Sequence, residues 1–403
     1  MRERRPSLSD LLLQSSASRP SYRARVSFAI ENSLALPISA VIALFWANLG
    51  PASYGRFAHA LEFPVNDVAM VFFFGLAAKE VAEATAPGGA LHSWRRAGLP
   101  VMAAVGGMVI PALLYALYAW MMHEPELLPG WAIPCATDIA FSYLIAKFVF
   151  GRHPALPFLL LLAVADDALG LVVLVVFYPS RELHLGAGAA IMAAAVAAAL
   201  WLRRARVHSF WPYVGIAGSL SWTALFVGGL HPALALVPVV SLMPHAARDP
   251  GLFVEAPPGA TDTLSQFEHW WKVPVQVVLF GFGLVNAGVP LRMYGSATWA
   301  VLIAVLAGKP IGVGVAVALS LAFGLRLPAR FGWRDVIIVG CAAAIGFTVA
   351  LFFATAAFPP GPLLDQAKLG ALLSVSGAVL TVAAAAALKA GRFATASPEA
   401  EHP

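Results

Sequence analysis

Apolar residues fill this chain in long blocks, separated by short polar connections. Blocks such as LLLLAVADDALGLVVLVV are apolar on every side, the pattern of a segment buried in protein or lipid rather than lying on a wet surface. Twelve blocks are read as spans, at residues 28–50, 64–84, 97–122, 131–150, 155–178, 184–202, 210–226, 229–244, 270–288, 297–324, 334–358 and 365–389. Most of them reach the ~20 residues that a helix needs to cross a hydrocarbon core. The pair between 210 and 244 is short, because Gly228-Gly229 and Pro232 interrupt it. Two short helices, or one span plus a re-entrant segment, both fit there. A transmembrane barrel would show short segments of alternating polarity. Uninterrupted apolar runs satisfy their backbone groups in lipid only as helices. The fold class predicted is therefore an all-α polytopic membrane protein of about twelve transmembrane helices.

Composition supports the lipid setting. Of 403 residues, 60% are hydrophobic and 12% charged, against about a quarter charged in an ordinary soluble domain. The net charge of +5 does not point to nucleic acid, since the basic residues are scattered between blocks and never form one face. Cys135 and Cys341 lie in apolar segments and read as small buried side chains, not a disulfide framework. The start, MRERRPSLSDLLLQSS, has an apolar stretch too short for a signal-peptide core.

The placement of Lys and Arg orients the chain. The N-terminal tail, the even-numbered connections and the C-terminal end hold nineteen of them, including Arg95, Arg96, Arg152, Arg203, Arg204 and Arg248. The alternate connections hold three, Arg56, Arg181 and Arg292. Both termini are thus expected in the cytoplasm, with residues 1–26 and 391–403 as tails and 27–390 as the membrane domain. The longest connection, 245–269, is too short to fold alone, and no Walker-type phosphate loop is present.

Charges inside such blocks are costly, about 2.5–3.5 kcal/mol for an Asp at a span centre, and are functional candidates by default. Asp166 and Asp167 are the clearest case. Adjacent positions point about 100° apart on a helix. Neither carboxylate ionises freely beside the other away from water, so the pair titrates as a unit. Its oxygens suit protons and hard cations alike. Asp138 lies in WAIPCATDIAFSYLIAKF, where Pro134 removes a donor and the Thr137 hydroxyl can serve a freed carbonyl. A broken helix around Thr137-Asp138 is predicted; a simple Thr137 cap remains an alternative. Lys309, in AVLAGKPIGVGVAVAL, must find a carboxylate or lose its proton; one of the Asp pair is the natural partner, with snorkelling to the interface as the alternative. Glu80 sits with Lys79 and Glu83 at a span end, where a wet helix end and a functional role are both open. Asp67 and His231 lie near span ends. A second irregular helix is predicted at Gly340–Thr348. The two interrupted segments occupy matching places in units 97–178 and 297–389, which start on opposite sides of the membrane, so an inverted repeat is expected.

The stretches WAIPCATDIAF, AVADDALGLVV, HPALA, VNAGV, AGKPIG and IGFTVALF, in this order, resemble the NhaA family of sodium/proton antiporters over roughly residues 30–390. That family is itself a standard example of inverted repeats, so the repeat reading is not independent of the resemblance. The resemblance implies two broken, crossing helices at the centre of the fold. It implies Asp167 as the cation-binding carboxylate at the bottom of a cytoplasmic funnel, and Asp166 as the partner of Lys309. Asp138 and Thr137 belong to the crossed helices, with Asp138 balancing helix-end dipoles. Glu80, Asp67, His231 and Glu268 fall where the family carries pH-response or funnel residues. Two regions depart: the family's Glu is usually followed by a Lys-Arg-Glu cluster, whereas Glu80 is followed by Val81-Ala82-Glu83-Ala84, and family members often carry more basic residues just before the Glu of Glu268-His269-Trp270-Trp271-Lys272. A pH response unlike the family's is expected.

The function expected is exchange of cytoplasmic Na+, with Li+ as a second substrate, for external H+ in the bacterial inner membrane, serving pH and sodium homeostasis. No enzyme activity and no cofactor are expected. The expected partners are these ions and the lipid bilayer, not nucleic acid, with a homodimer left open. An antiporter for K+ is the nearest alternative. An intramembrane aspartyl protease would need its two aspartates facing each other from different spans. A retinal protein with Lys309 as Schiff base would absorb visible light.

Overall fold

The apolar blocks fold as helices, and every regular element among the described residues is helical. The computed structural model describes residues 35–87, 89–92, 94–244 and 262–394. The tail 1–26, Arg248, the side chains of Arg95 and Arg96, and residues 395–403 lie outside the described residues.

Helix α1 is Ala35–Leu49 and α2 is Pro51–Phe63. A π turn at Pro64–Ala69 joins α2 to α3, Met70–Thr85. Then come α4, Trp94–Met121, a 3-10 run at Pro125–Cys135, and α5, Ile139–Phe150. Helices α6, Ala155–Phe177, and α7, Leu185–Arg204, follow. A π turn at Tyr213–Gly218 leads into α8, Ser219–Gly228, and a 3-10 turn precedes the short α9, Leu236–Val240. Helices α10, Thr263–Asn286, and α11, Ser296–Ala322, are long. They are followed by α12, Trp333–Ala343, α13, Phe347–Ala357, α14, Pro362–Leu373, and α15, Gly377–Ala387.

Six of these helical stretches are long and apolar enough to cross a membrane, or up to eight if each of two bent pairs counts as one span. The chain is a multi-pass membrane protein. The bent pairs are Pro125–Cys135 with α5, at 54°, and α12 with α13, at 51°. Both fall where the sequence predicts interruptions.

Two expectations are corrected. Residues 51–63, read as a connection, continue the next span into a helix of 35 residues. Pro64 reads as a helix start, yet the π turn accommodates its missing donor without ending the helix. Glu268, placed in a connection, sits within α10, because Asp262 caps that helix early by accepting from Ser265 N at 3.2 Å. Between 210 and 244 the structure has two short helical pieces, with His231 at the joint between them.

The polar centre lies where two apolar clusters meet. In α6, Leu156 to Ala165 belong to one cluster and Leu174 to the other, with Asp166 and Asp167 between. In α11, Ala297 to Ala304 belong to one and Val313 and Val317 to the other, with Lys309 between. Small residues let α4 and α11 come close. A Cβ on Gly312 would lie 2.1 Å from the Gly106 carbonyl oxygen, and one on Gly308 2.8 Å from Pro111 Cα. Gly308 and Gly312 thus form a small-xxx-small contact that carries Lys309 between its two glycines.

Candidate ion-binding site

The site is built from two helix breaks, one Asp pair and one lysine. After Cys135 the backbone extends, with Ala136 at ψ 148° and Asp138 at ψ 103°, before α5 resumes. The second break separates Ala343 from Phe347. The two breaks are stitched together. Asp138 N donates to Ile345 O at 2.6 Å, Thr137 Oγ1 to Ala343 O at 3.0 Å, and Ser142 Oγ to Ala342 O at 2.7 Å. These donors reach carbonyls at and just past the end of α12, where the regular helical bonding stops.

The Asp138 carboxylate caps two half-helices at once. Its Oδ1 accepts from Phe141 N, 3.2 Å away at the start of α5. Its Oδ2 accepts from Thr348 N at 3.3 Å, at the start of α13, and from the Thr348 hydroxyl. A carboxylate is favoured there because both helix N-termini present unpaired N–H groups and positive dipole ends.

Lys309 is fully buried. Its Nζ donates to Asp166 Oδ2 at 2.6 Å and to Thr137 Oγ1 at 2.7 Å. The Thr137 hydroxyl is therefore committed twice, accepting from Lys309 and donating to Ala343. Asp166 Oδ1 is buried with no hydrogen-bond partner among the described residues.

Two spaces meet at Asp167. One is a pinched apolar space of about 20 Å³ lined by Asp166, Asp167, Phe73, Phe74, Phe352 and Phe353. That volume holds about one water. The other is an open cavity of about 540 Å³ lined by Asp167, Asp138, Thr137, Glu80 and Glu268 among others. Asp167 is the acid common to both.

Four more residues singled out in the sequence divide into two places. Glu80 and Glu268 line the open cavity. Asp67 and His231 line a separate hollow of about 330 Å³ with Arg181. His231 Nδ1 lies 3.8 Å from Asp67 Oδ1, and its ring lies 4.7 Å from that of Phe352. Asp67 and Glu80 are thirteen helical steps apart, about 20 Å.

Three residues around the site had no role assigned from the sequence. Thr348 lay inside the flagged break without a role. Lys79 is buried among Glu80, Glu83 and Glu268; its i,i+4 spacing to Glu83 was the available signal. Ser142 left no signal, since its acceptor lies 200 residues away in sequence. Among the described residues no group of three or more His, Cys, Asp and Glu side chains is arranged to hold a resident metal ion.

The model of the family described as Na+/H+ antiporter 1 matches residues 25–388, spanning both breaks, the Asp pair and Lys309. The chain belongs to the NhaA family of Na+/H+ antiporters. Relatives within the NhaA family include Na(+)/H(+) antiporter NhaA 1 of Pelobacter propionicus, 44% identical over 88% of this chain and 95% of that protein. The NhaA of Geobacter metallireducens is 45% identical over 88% of this chain and 95% of its own length. That of Geobacter sulfurreducens is 42% identical over 92% of this chain and all of its own length. NhaA proteins are transporters, not enzymes, so the aspartyl-protease reading is dropped.

Proposed function

We propose that this chain exchanges cytoplasmic Na+, with Li+ as a second substrate, for external H+ at Asp166 and Asp167. The observation that carries the reading is the position of Asp167, which lines both the open cavity and the pinched apolar space, beside an Asp already matched by Lys309. Asp167 is then the carboxylate left to hold either a proton or a cation. A second bare negative charge next to Asp166 away from water is costly, so one or the other must be bound. Carboxylate oxygens and the carbonyls of unwound backbone are hard ligands, which suit Na+ and Li+. Asp138 acts as a fixed charge across the two half-helix ends, and Thr137 enters the ion's shell when Lys309 releases it.

Vectorial exchange follows from alternating access. The cavity beside Glu80 and Lys147 faces the cytoplasm, in keeping with the Lys and Arg bias that puts both termini there, in the inner membrane. Phe74, Phe352 and Phe353 line the pinched apolar space that Asp167 shares with the open cavity. Sodium entering from the cytoplasm displaces a proton at Asp167; the unit carrying the site moves and opens outward; external protons then displace sodium. The units 97–178 and 297–389 are read as inverted repeats within a membrane domain of about twelve spans, 27–390. Their symmetry gives the protein two related states, open to opposite sides.

Asp167→Asn keeps the size of the side chain and removes its charge. In everted vesicles it should abolish Na+- and Li+-driven dequenching of a pH dye while the protein remains inserted. Retained exchange would remove Asp167 from this role. Dequenching of the wild-type protein by K+ to the same extent as by Na+ would favour the potassium alternative.

A further inference from the structure

Two of the residues that line the pinched apolar space carry sulfur, Met108 on α4 and Cys135 at the end of the 3-10 run. The exchange mechanism uses neither. Cys135 is 2% exposed, and its thiol donates to Met108 O at 3.2 Å and to Trp131 O at 3.5 Å. Both contacts draw on the S–H proton and leave the sulfur lone pairs free. Asp166 lines the same space and is also 2% exposed. Its Oδ2 is held by Lys309, whereas its Oδ1 has no hydrogen-bond partner among the described residues. Leaving a buried carboxylate oxygen without a partner is costly, and a ligand there relieves the cost.

We propose that this space binds a soft monovalent cation, of the class of Cu+ and Ag+, on Cys135 Sγ with Asp166 Oδ1 beside it, and that its occupation blocks exchange. The blockade rests on Asp166 and Asp167 being the exchange site; the binding does not.

Size and chemistry both select such an ion. A space of about 20 Å³ holds about one water, so a cation enters it only after shedding its hydration. A hard cation gains few oxygens from an apolar wall in return. A soft cation forms a bond to sulfur instead, and thiolate and thioether ligands favour Cu+. Zn2+ takes four ligands and finds too few here. Ag+ and Cu+ are satisfied by two donors in line, so no cluster of three acidic, His or Cys side chains is required. Binding replaces the thiol proton with the metal. The S–H bond breaks, its electron pair makes the S–metal bond, and the proton leaves through the open cavity. Nothing is oxidised or reduced. The metal thiolate is neutral, so no new charge is set beside the Lys309 ammonium. The way in is the one open to Na+, because Phe73, Ala77, Asp167 and Val349 line both spaces.

The test uses the purified protein in chloride-free proteoliposomes under an imposed pH gradient, with silver nitrate as the probe. Near-equimolar Ag+ should abolish Na+-driven exchange, dithiothreitol should restore it, and the loaded protein should keep its Ag+ through desalting. Losing even an outer partner of a metal ligand typically costs about 10–100-fold in affinity, so Cys135→Ala should need at least about tenfold more Ag+ for half-inhibition. It should also retain one Ag+ per chain fewer than wild type. Cys135→Ser, closer to the thiol in shape, takes its place if the alanine variant fails to insert. Cys341→Ala leaves Cys135 as the sole cysteine, and Cys341 lines neither space. That variant should be as sensitive as wild type, and it decides the matter if both Cys135 variants fail to insert. The proposal is overturned if wild type or Cys341→Ala keeps no Ag+, or if an inserted Cys135 variant stays as sensitive as wild type. Asp167→Asn separates the two readings, since it should not exchange yet should still load Ag+. If it exchanges, the exchange-site assignment has failed; if it is inactive and wild type loads no Ag+, the soft-cation site alone has failed.

Discussion

Lys309 has no water to turn to. Its ammonium is held by Asp166 and Thr137 alone among the described side chains, in a helix apolar along its length. Removing one member of a buried pair typically costs about 3–5 kcal/mol, because the other charge is stranded. Lys309→Ala should therefore lower the melting temperature of the purified protein. An unchanged melting temperature together with an unchanged pH profile of activity would contradict the pairing. Lys309 and the Asp pair stand out in the sequence, since a charge in an apolar block has few bland explanations. Lys79 does not stand out. It looks like part of a wet helix end, and its partner Glu268 comes from a helix that the sequence starts too late. Which of two adjacent aspartates meets the lysine was given by family resemblance, not by spacing.

At the scale of the element, the site depends on helices that stop and helices that touch. The two breaks are legible because Pro134 and the Gly340–Gly346 stretch disrupt otherwise regular apolar spans. Their mutual stitching is not legible, since it joins Thr137, Asp138 and Ser142 to carbonyls about 200 residues away. The joining of α2 to α3 was missed because a proline inside a helix looks like a boundary. The approach of α4 to α11 gives a direct test. Gly312→Ala places a Cβ where the Gly106 carbonyl oxygen already stands, so the helices must part. Overpacking of this kind costs about 1–3 kcal/mol. The variant should melt at lower temperature and show reduced exchange, because Lys309 rides on the displaced helix. Gly314→Ala, two residues on, meets nothing within 4 Å and should be neutral or stabilising. Equal stability of the two variants would refute the close crossing as a constraint on the site.

At the scale of the whole molecule, the charged residues singled out above form three groups. Glu80, Glu83, Glu268 and Lys79 gather at the open mouth; Asp138, Asp166, Asp167 and Lys309 lie at the centre; Asp67, His231 and Arg181 gather at the opposite hollow. The resemblance assigns Glu80, Asp67, His231 and Glu268 to pH-response or funnel positions, and the structure sets them in two groups, Glu80 with Glu268 and Asp67 with His231. Phe352 touches both places: its ring lies 4.7 Å from that of His231, and it lines the central apolar space. The central claim is that a proton and a sodium ion compete for the same carboxylates. The measurement that tests it most directly is the apparent KM for Na+ in everted vesicles at a series of pH values, with the maximal rate taken at saturating Na+. Competition predicts that KM rises toward about tenfold per unit as pH falls at the acid end, while the maximal rate at saturating Na+ is preserved. A KM independent of pH, with only the maximal rate falling, would contradict the account and point to a separate switch.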